Sequence, residues 1–390
     1  MARELSLRSP MRRCAGLALA SGVVACSAGS DTGSSVTDRA TGGAVGATVG
    51  SSTSGGSGGS TPSSGGAAGS SSAPDGSNGN MGTPADASAP RPGDATSDIR
   101  ANPPSDAPTG QGPLVPSTGA LLGLFYGAGT IAATEMAVGR KMAIHLTYFA
   151  WTDDFTVGPA ANDVAMGRIS LVNWEPYTGN LDDIIAGVYD TMIHARAAGA
   201  KRLAQKFFLD WGAEMNGDWS PWGGALNGMS AAKYLAAYRH IHDIFVADGA
   251  TNVVWGWCPN VTDEPREDWN AALNYYPGDT YVDWACVDGY NWGSSGGGGW
   301  QTFQNLFSVI YPKLATTGKP ILIGEMASAE VGGSKGPWID AMIPTLKTNF
   351  PMIRGLVWFD INKETDWRID STPASLQAFV RMANDPYMNP

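Results

Sequence analysis

Two glutamates stand where apolar runs give way to polar, aromatic-rich segments. Glu214 lies in Asp210-Trp211-Gly212-Ala213-Glu214-Met215-Asn216-Gly217-Asp218-Trp219-Ser220-Pro221-Trp222, and Glu325 directly follows Ile321-Leu322-Ile323-Gly324. A carboxylate at the end of an apolar strand is costly to desolvate unless it has a partner or a task. Two of them facing each other suggest one. Cleaving the bond between two sugars takes a protonated carboxyl that assists the leaving oxygen and an ionised one on the other side of the anomeric carbon. Trp and Tyr faces nearby would offer flat platforms for the C–H faces of pyranose rings. Two glutamates held in salt bridges are the alternative, and the density of Trp weighs against it.

For these residues to meet, the chain must bring several strand ends together. Apolar runs occur at 121–126, 142–149, 167–172, 207–211, 252–257, 281–290, 320–324 and 353–359. Amphipathic stretches lie between them at 181–198, 230–247 (with Ser230 as N-cap), 300–316, 338–348 and 374–382. Continuous apolar strands alternating with helices imply a parallel sheet covered on both faces. Eight units in about 270 residues suit an α/β fold of the (β/α)8 TIM-barrel type, with its site at the C-terminal strand ends. A doubly wound open sheet is the alternative. In the barrel, the fourth run would deliver Glu214 and the seventh Glu325, across one mouth.

The 14 Trp, 12 Tyr and 11 Phe all lie at or after Phe125. A segment without aromatics cannot bury enough apolar surface to offset roughly 1 to 2 kcal/mol of backbone entropy per residue. The folded domain is therefore expected at 117–390, after a Gly/Ser/Pro-rich disordered tether at 27–116. Of the formal net charge of −11, the first 116 residues contribute one unit, and the domain has no basic run. That balance argues against nucleic acid as a partner and against attraction to anionic lipid. Residues 1–26 read as an export signal: Arg3, Arg8, Arg12 and Arg13 precede an apolar stretch too short to span a bilayer, ending in Val23-Val24-Ala25-Cys26. Small residues before Cys26 resemble a bacterial lipobox. The expectation is a monomer anchored to the outer membrane or cell surface through lipid on Cys26, with an ordinary signal as the alternative.

Cys258 and Cys286 are left for the domain, as a disulfide or as two buried thiols. Two Cys and four scattered His show no metal-ligand spacing, so neither metal nor cofactor is expected. Gly127-Ala128-Gly129-Thr130-Ile131-Ala132 fits a dinucleotide fingerprint without the acidic residue needed about 20 positions on. Gly332-Gly333-Ser334-Lys335-Gly336 fits G-x-S-x-G but starts beyond its strand, in a loop. His194, His240 and His242 are expected on solvated helix faces, and His145 as either a core residue or a sugar contact.

Several segments together carry a family resemblance. GAEMNGDWSPWG, ILIGEMAS, DGYNWG and WFDINKETDWRIDS resemble glycoside hydrolase family 26, whose members include β-mannanases, some mixed-linkage β-glucanases and β-1,3-xylanases. The match runs in order from GLFYGAG to DWRIDS. It implies a retaining mechanism on a (β/α)8 barrel acting on a polysaccharide, with Glu214 as acid/base and Glu325 as nucleophile. It further implies that Tyr290 hydrogen-bonds the nucleophile, that Trp358 lies under the sugar at the cleavage site and that Trp219 lines the leaving-group side. Trp151, Trp222, Trp257 and Trp292 are softer candidates, with core packing as the other reading. The family pattern has His before the acid/base and often Arg three residues before that His. Here those positions are Ala213 and Asp210. The expectation is an endo-acting hydrolase of β-1,4-mannan or a related β-glycan, with Asp210 or Asn216 as replacement contacts to the sugar; the alternatives are a barrel that binds polysaccharide with little or no turnover, and a mixed-linkage β-glucanase or β-1,3-xylanase.

Overall fold

The computed structural model describes residues 112–296 and 298–388, so the signal and tether expected before residue 112 lie outside the described residues. Eight parallel strands, paired in chain order, close into a barrel. They are β1 (Leu121–Tyr126), β2 (Ile144–Ala150), β3 (Ile169–Glu175), β4 (Phe207–Trp211), β5 (Val253–Trp257), β6 (Trp284–Asn291), β7 (Ile321–Ser328) and β8 (Ile353–Asp360). The helices are α1 (Ile131–Val138), α2 (Pro159–Ala165), α3 (Leu181–Ile185), α4 (Asp190–Leu203), α5 (Ala232–Ala247), α6 (Phe303–Phe307), α7 (Tyr311–Ala315), α8 (Lys335–Asp340), α9 (Met342–Thr348) and α10 (Pro373–Ala383). None of the described helices is long and apolar enough to cross a membrane.

Three helical stretches read as continuous are each divided. Gly187, at φ +80°, separates α3 from α4, and Pro312 lies in the first turn of α7, where its missing N–H costs no hydrogen bond. Pro344 falls in the first turn of α9 and again opens a new helix. The connection from β5 to β6 contains two short 3-10 turns and no α-helix, so strict alternation fails there. Helix α5 starts after Ala231, but the Ser230 hydroxyl does accept the Ala232 N–H at 3.2 Å.

Apolar side chains form two layers, as a closed sheet requires. Ile144, Leu146, Leu171, Phe208, Val254, Trp284, Leu322 and Val357 belong to the cluster inside the barrel. A larger cluster, with Trp174, Trp211, Tyr238, Phe245 and Phe379 among its members, lies between strands and helices. Described contacts begin slightly before residue 117. The Pro113 carbonyl accepts the Trp284 indole N–H at 2.8 Å, and the Pro116 carbonyl accepts from Arg354 at 2.6 Å. The short lead-in is thereby tied to the barrel.

Candidate active site

Strand alternation decides which side chains face the barrel axis. On β3 the inward row is Leu171, Asn173 and Glu175; on β6 it is Trp284, Cys286, Asp288 and Tyr290. On β7 the register shifts by one residue between the pairs Val287–Ile323 and Asp288–Glu325. Such a bulge re-aims the residues beyond it. Leu322 belongs to the inner cluster, Gly324 presents its Cβ direction to the inward-facing Cys286 and Asp288, and the bulge brings the next residue, Glu325, to the same interior side. A Cβ on Gly324 would lie 2.7 Å from Cys286 Sγ and 2.8 Å from Asp288 Oδ1, so the approach of β7 to β6 needs glycine there.

Two phenols hold the Glu325 carboxyl. Tyr148 Oη donates to Oε1 at 2.5 Å and Tyr290 Oη donates to Oε2 at 2.6 Å, while Asn173 Nδ2 approaches Oε1 at 3.4 Å. Burial raises the Glu325 pKa, and these donors oppose the rise by favouring the charged form. Both phenols are themselves held well above their usual range, chiefly by burial, so they remain O–H donors. Phe359 packs edge-on against both, with ring centroids 6.4 Å from Tyr148 and 5.6 Å from Tyr290.

Glu214 is set differently. It has φ +55°, a left-handed conformation that costs a residue with a Cβ roughly 1 to 2 kcal/mol, and its N–H donates to the Cys258 carbonyl at 2.7 Å. Asn260 Nδ2 donates to Oε1 at 2.7 Å and Trp219 Nε1 to Oε2 at 2.8 Å. Burial and then the nearby Glu325 charge push its pKa up to about 7, against those two donors. The cleft thus holds one carboxyl disposed to stay ionised and a second disposed to keep a proton near neutrality. That combination can protonate a leaving oxygen while a carboxylate acts on the adjacent carbon.

Trp219, Tyr290 and Trp292 stand at this mouth, partly exposed. Other expected contacts do not. Trp358 is fully buried on the outer face of β8, donates to the Trp367 carbonyl and packs on Phe379 of α10; Phe359, the next residue, faces the mouth. Trp151 is buried against Trp174 and Trp257 against Tyr276, both away from the cleft. Trp222, 2% exposed, donates to the Ala213 carbonyl and braces the Glu214 turn from behind. Asn216 is buried in the loop, where it accepts the Asn260 N–H and donates to the Asp263 carboxylate. It holds the residue that holds Glu214.

Asp210 is 3% exposed inside the barrel, beneath the mouth, and its Oδ1 has no hydrogen-bond partner among the described residues. Ala213 is also buried, within the inner apolar cluster. His145 pairs with Asp163 of α2 at 2.9 Å, as a core histidine. His242 is not on a solvated face: its ring packs on Trp255 and Tyr281. Cys258 and Cys286 are joined as a disulfide. Asp288 lies close enough to complete a cluster of metal-ligating residue types, but the disulfide leaves neither sulfur as a thiolate. Gly127 is needed because a Cβ would meet Ile361 at 2.2 Å, and Thr130 caps α1; Ser334 precedes α8 in the loop after β7. Sequence reasoning passed over Tyr148, Asn173, Glu175, Asn260 and Phe359.

Several buried acids make stability depend on pH. Burial raises Asp210 and Asp288 well above their usual range, with Glu325 adding to both. A carboxyl whose folded pKa exceeds its unfolded value binds more protons in the folded state. Its contribution is therefore complete below the unfolded pKa and is lost as pH rises through the folded one. Melting temperature is expected to fall between pH 5.5 and pH 8, and Asp210→Asn is expected to raise it at pH 8. At roughly 2 to 4 °C per kcal/mol for a domain of this size the change is measurable by calorimetry. A melting temperature lowered by Asp210→Asn at pH 8 would contradict the assignment.

Residues 187–369 match the family model for glycosyl hydrolase family 26. Endoglucanase H of Acetivibrio thermocellus is 40% identical over 278 residues, or 70% of this chain, and the chain spans 31% of that protein. Among solved structures, a GH26 β-mannanase from Bacteroides ovatus is 16% identical with a TM-score of 0.52, over 69% of this chain and 90% of that one. The catalytic domain of a Bacillus sp. JAMB-750 GH26 endo-β-1,4-mannanase is 20% identical with a TM-score of 0.52, over 69% and 86%. These two likenesses speak to fold. Motif order, sequence identity and barrel topology fall on the same stretch of chain, and on those grounds the chain carries a glycosyl hydrolase family 26 domain.

Proposed function

We propose that this barrel is a retaining, endo-acting glycoside hydrolase of β-linked polysaccharide, with Glu325 as nucleophile and Glu214 as acid/base. The observation that carries the reading is the unequal setting of the two carboxyls. Glu325 accepts from two phenols, as an ionised nucleophile requires, and Glu214 sits near a pKa of about 7, as a proton donor requires. In the first step Glu325 attacks the anomeric carbon while Glu214 protonates the departing oxygen. In the second, Glu214 takes a proton from water, which displaces the sugar from Glu325.

Mannan and a β-glucan are both open as substrates, and a specific observation favours the second. The relative at 40% identity bears the name of an endoglucanase, whereas the structures titled mannanases are 16% and 20% identical. Ala213, buried where the family pattern has a sugar-contacting His, points the same way. Release of reducing sugar from lichenan, glucomannan, mannan and xylan tests both readings. Turnover of lichenan above mannan is the expected order, and failure on all four would end the hydrolase reading. On the preferred glycan, kcat/KM should fall as pH rises above about 7, where Glu214 loses the proton it donates. A profile flat to pH 9 would exclude Glu214 as the acid. Export with a lipid on Cys26 is part of the same proposal, supported by Val23-Val24-Ala25-Cys26; loss of radiolabelled palmitate on Cys26→Ala tests it.

A further inference from the structure

A third acid stands in the mouth. Glu175 ends β3, two residues beyond Asn173 and therefore on the same inward row. Asn173 already reaches Glu325, so the next inward position lies above it, at the opening of the cleft. Among the described residues no donor pairs with the Glu175 carboxyl. Its neighbours act on it only through charge: Glu325 most, then Glu214, and in the opposite sense Lys363 of the loop after β8. Lys363 is itself engaged at 2.8 Å by Glu364.

The chemistry of such a group is constrained. A carboxyl that is largely withdrawn from water, beside two other acids and without a paired cation, keeps its proton; burial first and Glu325 second push Glu175 up to about 8. A protonated carboxyl offers one donor and one acceptor side by side, which matches vicinal hydroxyls on a pyranose ring. In a two-step mechanism the sugar that becomes attached to Glu325 is the one on the non-reducing side of the cleaved bond. The residue above Glu325 faces that sugar rather than the leaving group.

We propose that Glu175 is a substrate-binding, specificity-determining residue, hydrogen-bonded through its carboxyl to ring hydroxyls of the sugar held over Glu325. The proposal rests on the hydrolase reading for the identity of that sugar. A solely structural role for Glu175 is the competing account, and it predicts no effect on affinity in a variant that folds.

Non-hydrolysable, sulfur-linked β-1,4-tetrasaccharides of glucose and of mannose are suitable probes, titrated calorimetrically into the wild type, Glu175→Gln and Glu175→Ala. For the better-bound sugar, Glu175→Ala should weaken binding about tenfold or more, with Glu175→Gln within about threefold of wild type because the amide keeps a donor and an acceptor. Wild-type affinity should decline above pH 8 as the carboxyl loses its proton, and Glu175→Gln should not share that decline. An Ala variant within twofold of wild type overturns the proposal. If the Ala variant does not fold, a Gln variant with the wild-type pH dependence does so instead. Turnover separates the two readings. A wild type that binds through Glu175 yet releases no sugar from any polysaccharide keeps this proposal and ends the hydrolase reading; an active enzyme indifferent to Glu175 does the reverse.

Discussion

Replacing Glu325 by Ala is expected to cut turnover of the preferred glycan by on the order of ten-thousandfold or more, with little change in melting temperature. The loss is chemical because, in the proposed mechanism, Glu325 forms the bond to the anomeric carbon. The fold is spared because Glu325 contributes no apolar packing, and its removal relieves the like-charge pressure on Asp210, Asp288 and Glu214. Truncation also leaves a space bordered by the Tyr148 and Tyr290 hydroxyls, both aimed where the carboxylate stood. Azide fits such a space and accepts both donors. With a dinitrophenyl β-glycoside, whose leaving group needs no proton, azide in that position would attack the face Glu325 attacks. The product should be the α-glycosyl azide, inverted at the anomeric carbon and identifiable by NMR. A β-glycosyl azide from this variant would move the nucleophile away from Glu325.

Which face of a strand looks inward was the least legible feature of the sequence. Strands buried on both faces are apolar throughout, so their composition does not mark the side that faces the axis. That is why Trp358 and Phe359 are easily exchanged: both are aromatic, both are buried, and the barrel alone sends Trp358 to Phe379 and Phe359 to the mouth. Tyr148 was invisible for a related reason. It sits in an apolar run and meets Glu325 across 177 residues, a contact created by closure of the sheet. Trp219 and Glu214 are five residues apart in one turn, so their contact was within reach of local reasoning. The bounds of β1 and β4 were legible because Gly, Lys and Gln flank them, and β7 ran four residues past its expected end because its polar continuation still pairs with β6. Asn216 reads as a polar residue beside the acid, a pattern that fits a sugar contact as well as it fits a loop brace.

The second large effect concerns Glu214, and leaving groups should reveal it. On polysaccharide, Glu214→Ala removes the proposed proton donor and is expected to lower turnover by about a hundredfold to ten-thousandfold. On a dinitrophenyl β-glycoside the first step needs no proton, so Glu325 should still be glycosylated at near the wild-type rate. The second step then stalls, because nothing takes the proton from water. A burst of dinitrophenol followed by slow release is the expected trace, and the glycosyl-enzyme should be detectable by mass spectrometry on the peptide containing Glu325. Azide should restore steady turnover here too, but from the opposite face. The space vacated by Glu214 lies beside Trp219 and Asn260, across the anomeric carbon from Glu325. Attack from there on a sugar already bound to Glu325 inverts it a second time, so the product should be the β-glycosyl azide. The two variants thus assign the two carboxyls by the anomer each produces. The same anomer from both, or equal loss on activated and natural substrates, would break the division of roles that the phenols around Glu325 and the pKa of about 7 at Glu214 support.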